Sequence, residues 1–280
     1  MSRPEEFSAF RGLLFGIAYR ITGSAMDAED ILQEAFLRWQ NASQVEAPKA
    51  FLTKMITRMC IDHLRSAKVR REKYVGPWLP EPLITEHPID TVELSESLSM
   101  AFMLLLENLS PTERAVFLLR EVFDFAYDEI AEIIESNEVN CRQHFKRAND
   151  HIAAHKPRFK VAREKHFEIL TKFSAAVSSG DLNGLVSMLA QDVALYSDGG
   201  GKVRAAIHPI YNAKNVARYL IGIQKKAPSG LTFTFAEING AIGVLCRSGD
   251  KIFMTVSIDT VDDIVRGVYL VLNPDKLGAP

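Results

Sequence analysis

Residues 76–88, GPWLPEPLITEHP, carry four prolines in thirteen positions, and that density constrains the fold more than any other stretch. A proline ring lacks the amide N–H that a helix needs and clashes with the preceding turn, so no helix runs through this segment. An extended stretch is expected, with separate modules on either side of it. The chain divides accordingly into 1–75, a linker at 76–91, a second helical region at 92–158 and a remainder at 159–280.

Ahead of the linker, residues 7–41 and 48–73 read as helices, interrupted near Thr22-Gly23-Ser24 and again at 43–48. Within 27–40, Ile31, Ala35, Phe36 and Trp39 form an apolar face, while Asp27, Asp30, Gln33 and Glu34 offer carboxylates and an amide to a basic partner. The next helix has the opposite charge: residues 49–73 hold eight Lys or Arg against two acidic residues. From 81 to 138 the balance reverses, with two Arg among many carboxylates. A net charge of −2 therefore conceals basic faces suited to nucleic acid and acidic faces suited to another protein. Phe51 and Trp39 are read as core.

In the second helical region, Ser110-Pro111 gives an N-cap and a first-turn proline before 112–123. Residues 127–135 turn Ile130, Ala131, Ile133 and Ile134 inward and leave Asp128, Glu129, Glu132 and Glu135 in water. Ser136 or Asn137 then caps a further helix. On it, Val139 and Phe145 are expected to face the partner helix, leaving Asn140, Arg142, Gln143, Lys146 and Arg147 on the other side. Two helices joined by a short turn, the second bearing these side chains, make a helix-turn-helix. Arg reads guanine, Asn and Gln read adenine through paired hydrogen bonds, and Lys or Arg neutralises phosphate.

Beyond about 160 the period changes. Helices at 161–178 and 182–190 precede strand candidates at 193–196, 231–238, 242–247, 251–258 and 264–272, which makes the last region α+β. No apolar run is long enough to span a bilayer and the first residues lack a secretion signal, so a cytoplasmic, membrane-free protein is expected. Cys60, Cys141 and Cys246 lie too far apart for a metal spacing or a disulfide framework and read as reduced thiols; neither metal nor other cofactor is expected. Tyr196, Asp198, His208 and Tyr211 are candidates to surround a cavity. Paired carboxylates, a nucleophile constellation and a phosphate loop are all missing from the sequence, so no reaction is defined and the chain is read as a non-enzyme.

Specific motifs add to this reading. DAEDILQEAF at 27–36 closely resembles the acidic helix by which extracytoplasmic-function sigma factors grip bacterial RNA polymerase, and FLTKMITRMCIDHLR at 51–65 is similar to their promoter-melting and −10 recognition helix. Residues 109–147 resemble their second domain, whose helix-turn-helix binds the −35 element. WLPEPL at 78–83, DGGGKV at 198–203 and NPDKL at 273–277 are similar to three signatures of sigma factors that carry a fused SnoaL-like extension.

The resemblance implies a multi-domain fold: two all-α sigma domains at 1–75 and 92–158, then an α+β SnoaL-like, cystatin-like cone at 159–280. It implies polymerase core and promoter DNA as partners, and a SnoaL-like domain that regulates the sigma domains in cis. Asp27, Asp30, Gln33 and Glu34 would bind the core. Asn41, Lys54, Arg58, Asp62 and Arg65 would serve the −10 element, with Lys68, Arg70 and Arg71 on phosphate, although many of the family carry Asn where Arg58 stands. Asn140, Arg142, Gln143, Lys146 and Arg147 would serve the −35 element. Trp78, Leu79, Pro80, Glu81 and Pro82 would meet Asp198, Gly199, Gly200, Gly201 and Lys202 together with Asn273, Pro274, Asp275, Lys276 and Leu277 in regulation. SnoaL-like folds often enclose a pocket, which leaves room for a small ligand. A helix-turn-helix repressor acting without polymerase, or a SnoaL-like enzyme tethered to DNA, are the alternatives.

Overall fold

The computed structural model describes residues 2–43, 45–71, 74–85, 97–153 and 161–278. They form two compact units that interleave along the sequence: 1–73 with 103–156, and 74–102 with 157–280.

The first unit is helical. α1 (Arg3–Thr22) ends on Gly23 in the left-handed region, where the missing Cβ lets its N–H close back onto the Tyr19 carbonyl. α2 (Ala25–Gln40) starts on Ser24, whose hydroxyl accepts from the Asp27 amide at 3.1 Å. α3 (Pro48–Arg71) completes the first helical group, with Leu14, Ile17, Leu32, Trp39, Leu52 and Ile56 buried in its core. Trp39 is fully buried, whereas Phe51 is 36% exposed and only tilts against it, which corrects its expected place in the core.

α4 (Met100–Leu106) and α5 (Pro111–Glu121) follow; a capping box between Ser110 and Glu113 sets the start of α5. α6 (Tyr127–Ile134) and α7 (Glu138–Ala153) are joined by three residues, with Glu135 at φ 52° closing α6. This is the helix-turn-helix.

The second unit is α+β. α8 (Arg163–Ser179), α9 (Leu182–Met188) and α10 (Ala213–Gln224) cover a sheet built from β1 (Ile84–Thr85), β2 (Leu189–Asp198), β3 (Ile210–Tyr211), β4 (Leu231–Ile238), β5 (Ala241–Ser248), β6 (Lys251–Val261) and β7 (Ile264–Val271). The strand order is β1-β4-β5-β6-β7-β2-β3, antiparallel except for β2 against β7. Phe173, Leu185, Val216, Leu220, Val265, Val268 and Leu270 fill the layer between helices and sheet. Asn239 and Gly240, both at positive φ, make the tight β4–β5 turn. Register shifts in β2/β7, β5/β6 and β6/β7 bend the sheet into a cone.

Candidate promoter-reading helices and a buried carboxylate latch

On α2, the buried stripe of Ala28, Ile31, Leu32, Ala35 and Trp39 directs the acidic residues outward. Asp30, Gln33 and Glu34 are exposed, and Glu34 pairs with Arg38 at 2.9 Å. Asp27 is half-buried and lies 3.2 Å from His63 Nε2 of α3. Asp27, Asp30 and Glu34 line, with Asp62 and His63, a hollow of about 410 Å³ between the two helices. Gln33 lies outside that hollow.

On α3 the −10 candidates are split among different surroundings. Asn41 sits at the end of α2 and donates to the Leu37 carbonyl at 2.9 Å. Lys54 is half-buried, and Asp62 and Arg65 form an exposed pair at 3.3 Å. The side chains of Lys68, Arg70 and Arg71 lie outside the described residues.

Arg58 is engaged by the helix-turn-helix. Its guanidinium donates to the Ile133 carbonyl at 2.7 Å and the Glu132 carbonyl at 3.3 Å, and pairs with Glu135 at 2.6 Å. Those carbonyls are the negative end of α6, so a cation is favoured there. The same groups of helices meet at Arg114 of α5, only 2% exposed, whose Nε donates to the Arg20 carbonyl at 3.0 Å and which pairs with Glu107. Burial lowers the Arg20 guanidinium to about 10, and this group lies 5.5 Å over the Phe123 ring. One Arg114 nitrogen is buried with no hydrogen-bond partner among the described residues. Buried ion pairs of this kind give geometry more than net stability.

On α7, Asn137 Oδ1 caps the helix by accepting from the Asn140 amide at 2.8 Å. Cys141, Ala148 and Ile152 are the buried stripe, and Phe145 stacks on Phe117 at 5.8 Å. Val139, expected inward, is 64% exposed; helical spacing from Cys141 and Phe145 carries it off the stripe. Burial pushes the Cys60 and Cys141 thiols up, which fits small packing residues. Asn140, Arg142, Gln143, Lys146 and Arg147 all point to solvent. Arg142 is held over the Tyr127 ring at 4.2 Å and pairs with Glu138 at 3.2 Å, which fixes its direction.

In the second unit the three proline, glycine and C-terminal motifs converge on Asp198, which has no exposed surface. Asp198 accepts from Tyr74 Oη at 2.5 Å, the Leu79 amide at 2.9 Å, the Gly200 amide at 3.1 Å and Lys276 Nζ at 2.8 Å. Lys276 also donates to the Leu79 carbonyl and lies 3.8 Å from the centre of the Trp78 ring. Asn273 donates to Tyr74 Oη at 2.9 Å and accepts from the Asp275 amide at 3.1 Å, opening the 3₁₀ turn Pro274–Lys276. Gly200 has φ 59°, and a Cβ there would lie 2.4 Å from Asn273 Nδ2, so the loop needs glycine for conformation and for approach. Lys202 and Asp275 make an exposed pair at 2.5 Å.

Leu79, Pro80, Glu81 and Pro82 are buried, and Leu83 exchanges hydrogen bonds with Asn239 at 2.8 and 3.0 Å before β1 pairs with β4. Asn239 also donates to the Leu98 carbonyl at 3.1 Å. The linker, expected to be extended, is extended and docked over 74–85. Burial and the neighbouring Asp198 push the Tyr74 hydroxyl well up, which keeps it a donor.

The cavity candidates are corrected. His208 and Tyr211 are exposed, Tyr196 stacks on Tyr269 at 5.7 Å, and Asp198 is taken by the latch; none of the four lines the large cavity of this unit. Among the described residues no cluster of His, Cys, Asp and Glu could hold a metal ion, and no helix is long and apolar enough to cross a membrane. Tyr74, Asn239, Arg114 and the α6 carbonyls were missed as functional partners. Only Asn239 carried a sequence signal, the Asn-Gly pair between two strand patterns.

Two helical modules with basic, outward helices, joined by a docked strap and followed by an α+β cone, define a two-module DNA-binding protein with a built-in third domain. Residues 7–70 match the family model described as Sigma-70 region 2, and 99–152 match Sigma-70, region 4. The chain is 35% identical to ECF RNA polymerase sigma factor SigJ of Mycobacterium tuberculosis, covering 98% of this chain and 93% of that protein. It is 33% identical to the probable ECF RNA polymerase sigma factor SigI of the same organism over 66% of each. The crystal structure of M. tuberculosis SigJ superimposes with a TM-score of 0.78 at 31% identity, over 97% of both chains. The chain belongs to the extracytoplasmic-function RNA polymerase sigma factors, which direct polymerase to promoters.

Proposed function

We propose that this sigma factor is held inactive by its own C-terminal domain, through the strap that connects its two promoter-reading modules. The convergence of Tyr74, Leu79, Gly200 and Lys276 on one buried carboxylate carries the reading. Free chain from Arg71 to Ser99 would reach about 90 Å at ~3.3 Å per residue, enough for two modules to sit on separated promoter elements. Docking 74–85 and Leu98 on the cone removes most of that reach. In the same state Arg58 is bound to α6 and is unavailable to DNA.

In the active state, Asp30, Gln33 and Glu34 meet basic side chains of the polymerase core, with Asp27 freed from His63. Lys54, Arg58, Asp62 and Arg65 receive the −10 strand, Asn41 flanks it, and Lys68, Arg70 and Arg71 track phosphate. Asn140, Arg142, Gln143, Lys146 and Arg147 read the −35 element. The C-terminal domain acts as a regulator without chemistry of its own, and the protein works in the cytoplasm, where polymerase is. Among the described residues no carboxylate lines the cavity of this unit, and Asp198 is already held by four donors.

In vitro transcription with core polymerase tests this. Full-length protein should initiate weakly at its promoter, and a chain shortened after residue 158 or carrying Lys276→Met should initiate more strongly from the same start site. Equal initiation by all three would overturn cis control.

A further inference from the structure

The second unit contains a cavity of about 990 Å³ between α8, α10 and the concave face of the sheet. Its wall is mostly apolar, with Phe173, Leu231, Phe233, Val256 and Leu270 among the lining residues, and Phe233 and Phe235 stay 49% and 44% exposed. Isolated exposed aromatics need no explanation, but two on one strand beside a cavity of this size mark a binding surface. Three charged side chains line it, Arg204, Arg218 and Lys226; all are cationic and exposed, and no carboxylate joins them. Among the described residues no ion pair holds any of the three.

We infer that this cavity binds a single anionic amphiphile, an aliphatic or polycyclic carboxylate whose apolar body enters the cone and whose carboxylate meets Arg204, Arg218 and Lys226. A neutral chain would gain the burial but not the charge-assisted hydrogen bonds, and a cationic one would be repelled.

The lining also includes Val203 and Ala205, just beyond the Gly199–Gly201 turn, and Pro274 and Leu277, which flank Lys276. A bound ligand therefore presses on both segments that hold Asp198 and Lys276 around the strap. Occupancy loosens the latch; this second step rests on the cis control proposed above, whereas binding itself does not.

The fluorescent fatty acid cis-parinarate serves as the probe, displaced by dodecanoate, dodecan-1-ol or dodecyltrimethylammonium. Saturable 1:1 binding is expected, with dodecanoate preferred over the alcohol by roughly tenfold, the ratio that ~1.4 kcal/mol gives. Arg204→Gln with Arg218→Gln should cut most of that preference and weaken parinarate to a similar extent without eliminating its binding. Gly222 lines the cavity with nothing within 4 Å of an added Cβ, so Gly222→Trp fills it without a backbone clash and should abolish binding with the fold intact by circular dichroism. No saturable binding, equal affinity for the cationic chain, or full binding by Gly222→Trp would each overturn the site. In transcription, dodecanoate should raise initiation by the wild type and leave Gly222→Trp unchanged. Binding without any change in transcription would overturn the coupling and leave the site standing.

Discussion

Lys276→Met is the sharpest perturbation of the latch. Lys276 is 10% exposed at its side chain and Asp198 0%, so the pair is out of solvent. Methionine keeps the length of the stem and leaves little cavity, but it deletes the ammonium. Asp198 then keeps Tyr74, Leu79 and Gly200 as donors but has lost its countercharge. Removing one partner of a buried pair costs ~3–5 kcal/mol, because the other charge stays buried alone. Loss of the ammonium over Trp78, at 3.8 Å, lies within that figure.

The cost falls on the docked state of the strap, so the local opening equilibrium should shift by about two to three and a half decades at ~1.4 kcal/mol per decade. Hydrogen exchange at the Leu79 amide, which donates to Asp198, reads this directly. Lys202→Met is the control: its pair with Asp275 is 53% and 59% exposed, and such pairs contribute ~0–1 kcal/mol. Leu79 should lose its protection in Lys276→Met and keep it in Lys202→Met, with β6 and β7 unchanged in both. Leu79 protection within tenfold of wild type would refute the reasoning, as would equal loss across the whole sheet.

Other outcomes follow from the same geometry. Arg142→Ala should weaken promoter-specific binding by ~1–3 kcal/mol with a smaller effect on nonspecific DNA, measured by competition between promoter and random duplex. Gly200→Ala should free the strap as Lys276→Met does, since the residue sits at φ 59° and its Cβ meets Asn273; chymotrypsin cleavage after Tyr74 or Trp78 reports it. Asp259 is raised above the ordinary carboxylate range by burial, so it favours the folded state when protonated and its contribution is lost as pH rises above the unfolded value. Asp259→Asn should therefore raise the melting temperature at pH 7, with the gain shrinking toward pH 4.

Much of the architecture was legible because periodicity records burial. The stripes of α2 and α6 and the alternation in β4 to β7 each follow from one face meeting a core. The same logic misplaced Val139, because a two-residue guess at a helical face cannot fix its phase; Cys141 and Phe145 set it. The outward face of α7 was visible in its residue types. The engagement of Arg58 was not, since its acceptors are backbone carbonyls of α6, which no sequence pattern marks. The latch was half legible: three motifs were seen and Asp198 stood among them, but it was also read as a cavity candidate, and Tyr74 lies outside all three. A proline-rich run predicts extended backbone and says nothing of what it docks on.

The central claim is that docking of 74–83 keeps the two promoter-reading modules together. Spin labels at Gln40→Cys on α2 and Gln143→Cys on α7 test it by dipolar distance measurement, because the native Cys60, Cys141 and Cys246 are fully buried. Free wild-type protein should give one narrow, short distance, and Lys276→Met a broad distribution reaching longer values. An unchanged narrow distance in Lys276→Met, with Leu79 exchange already released, would contradict the account.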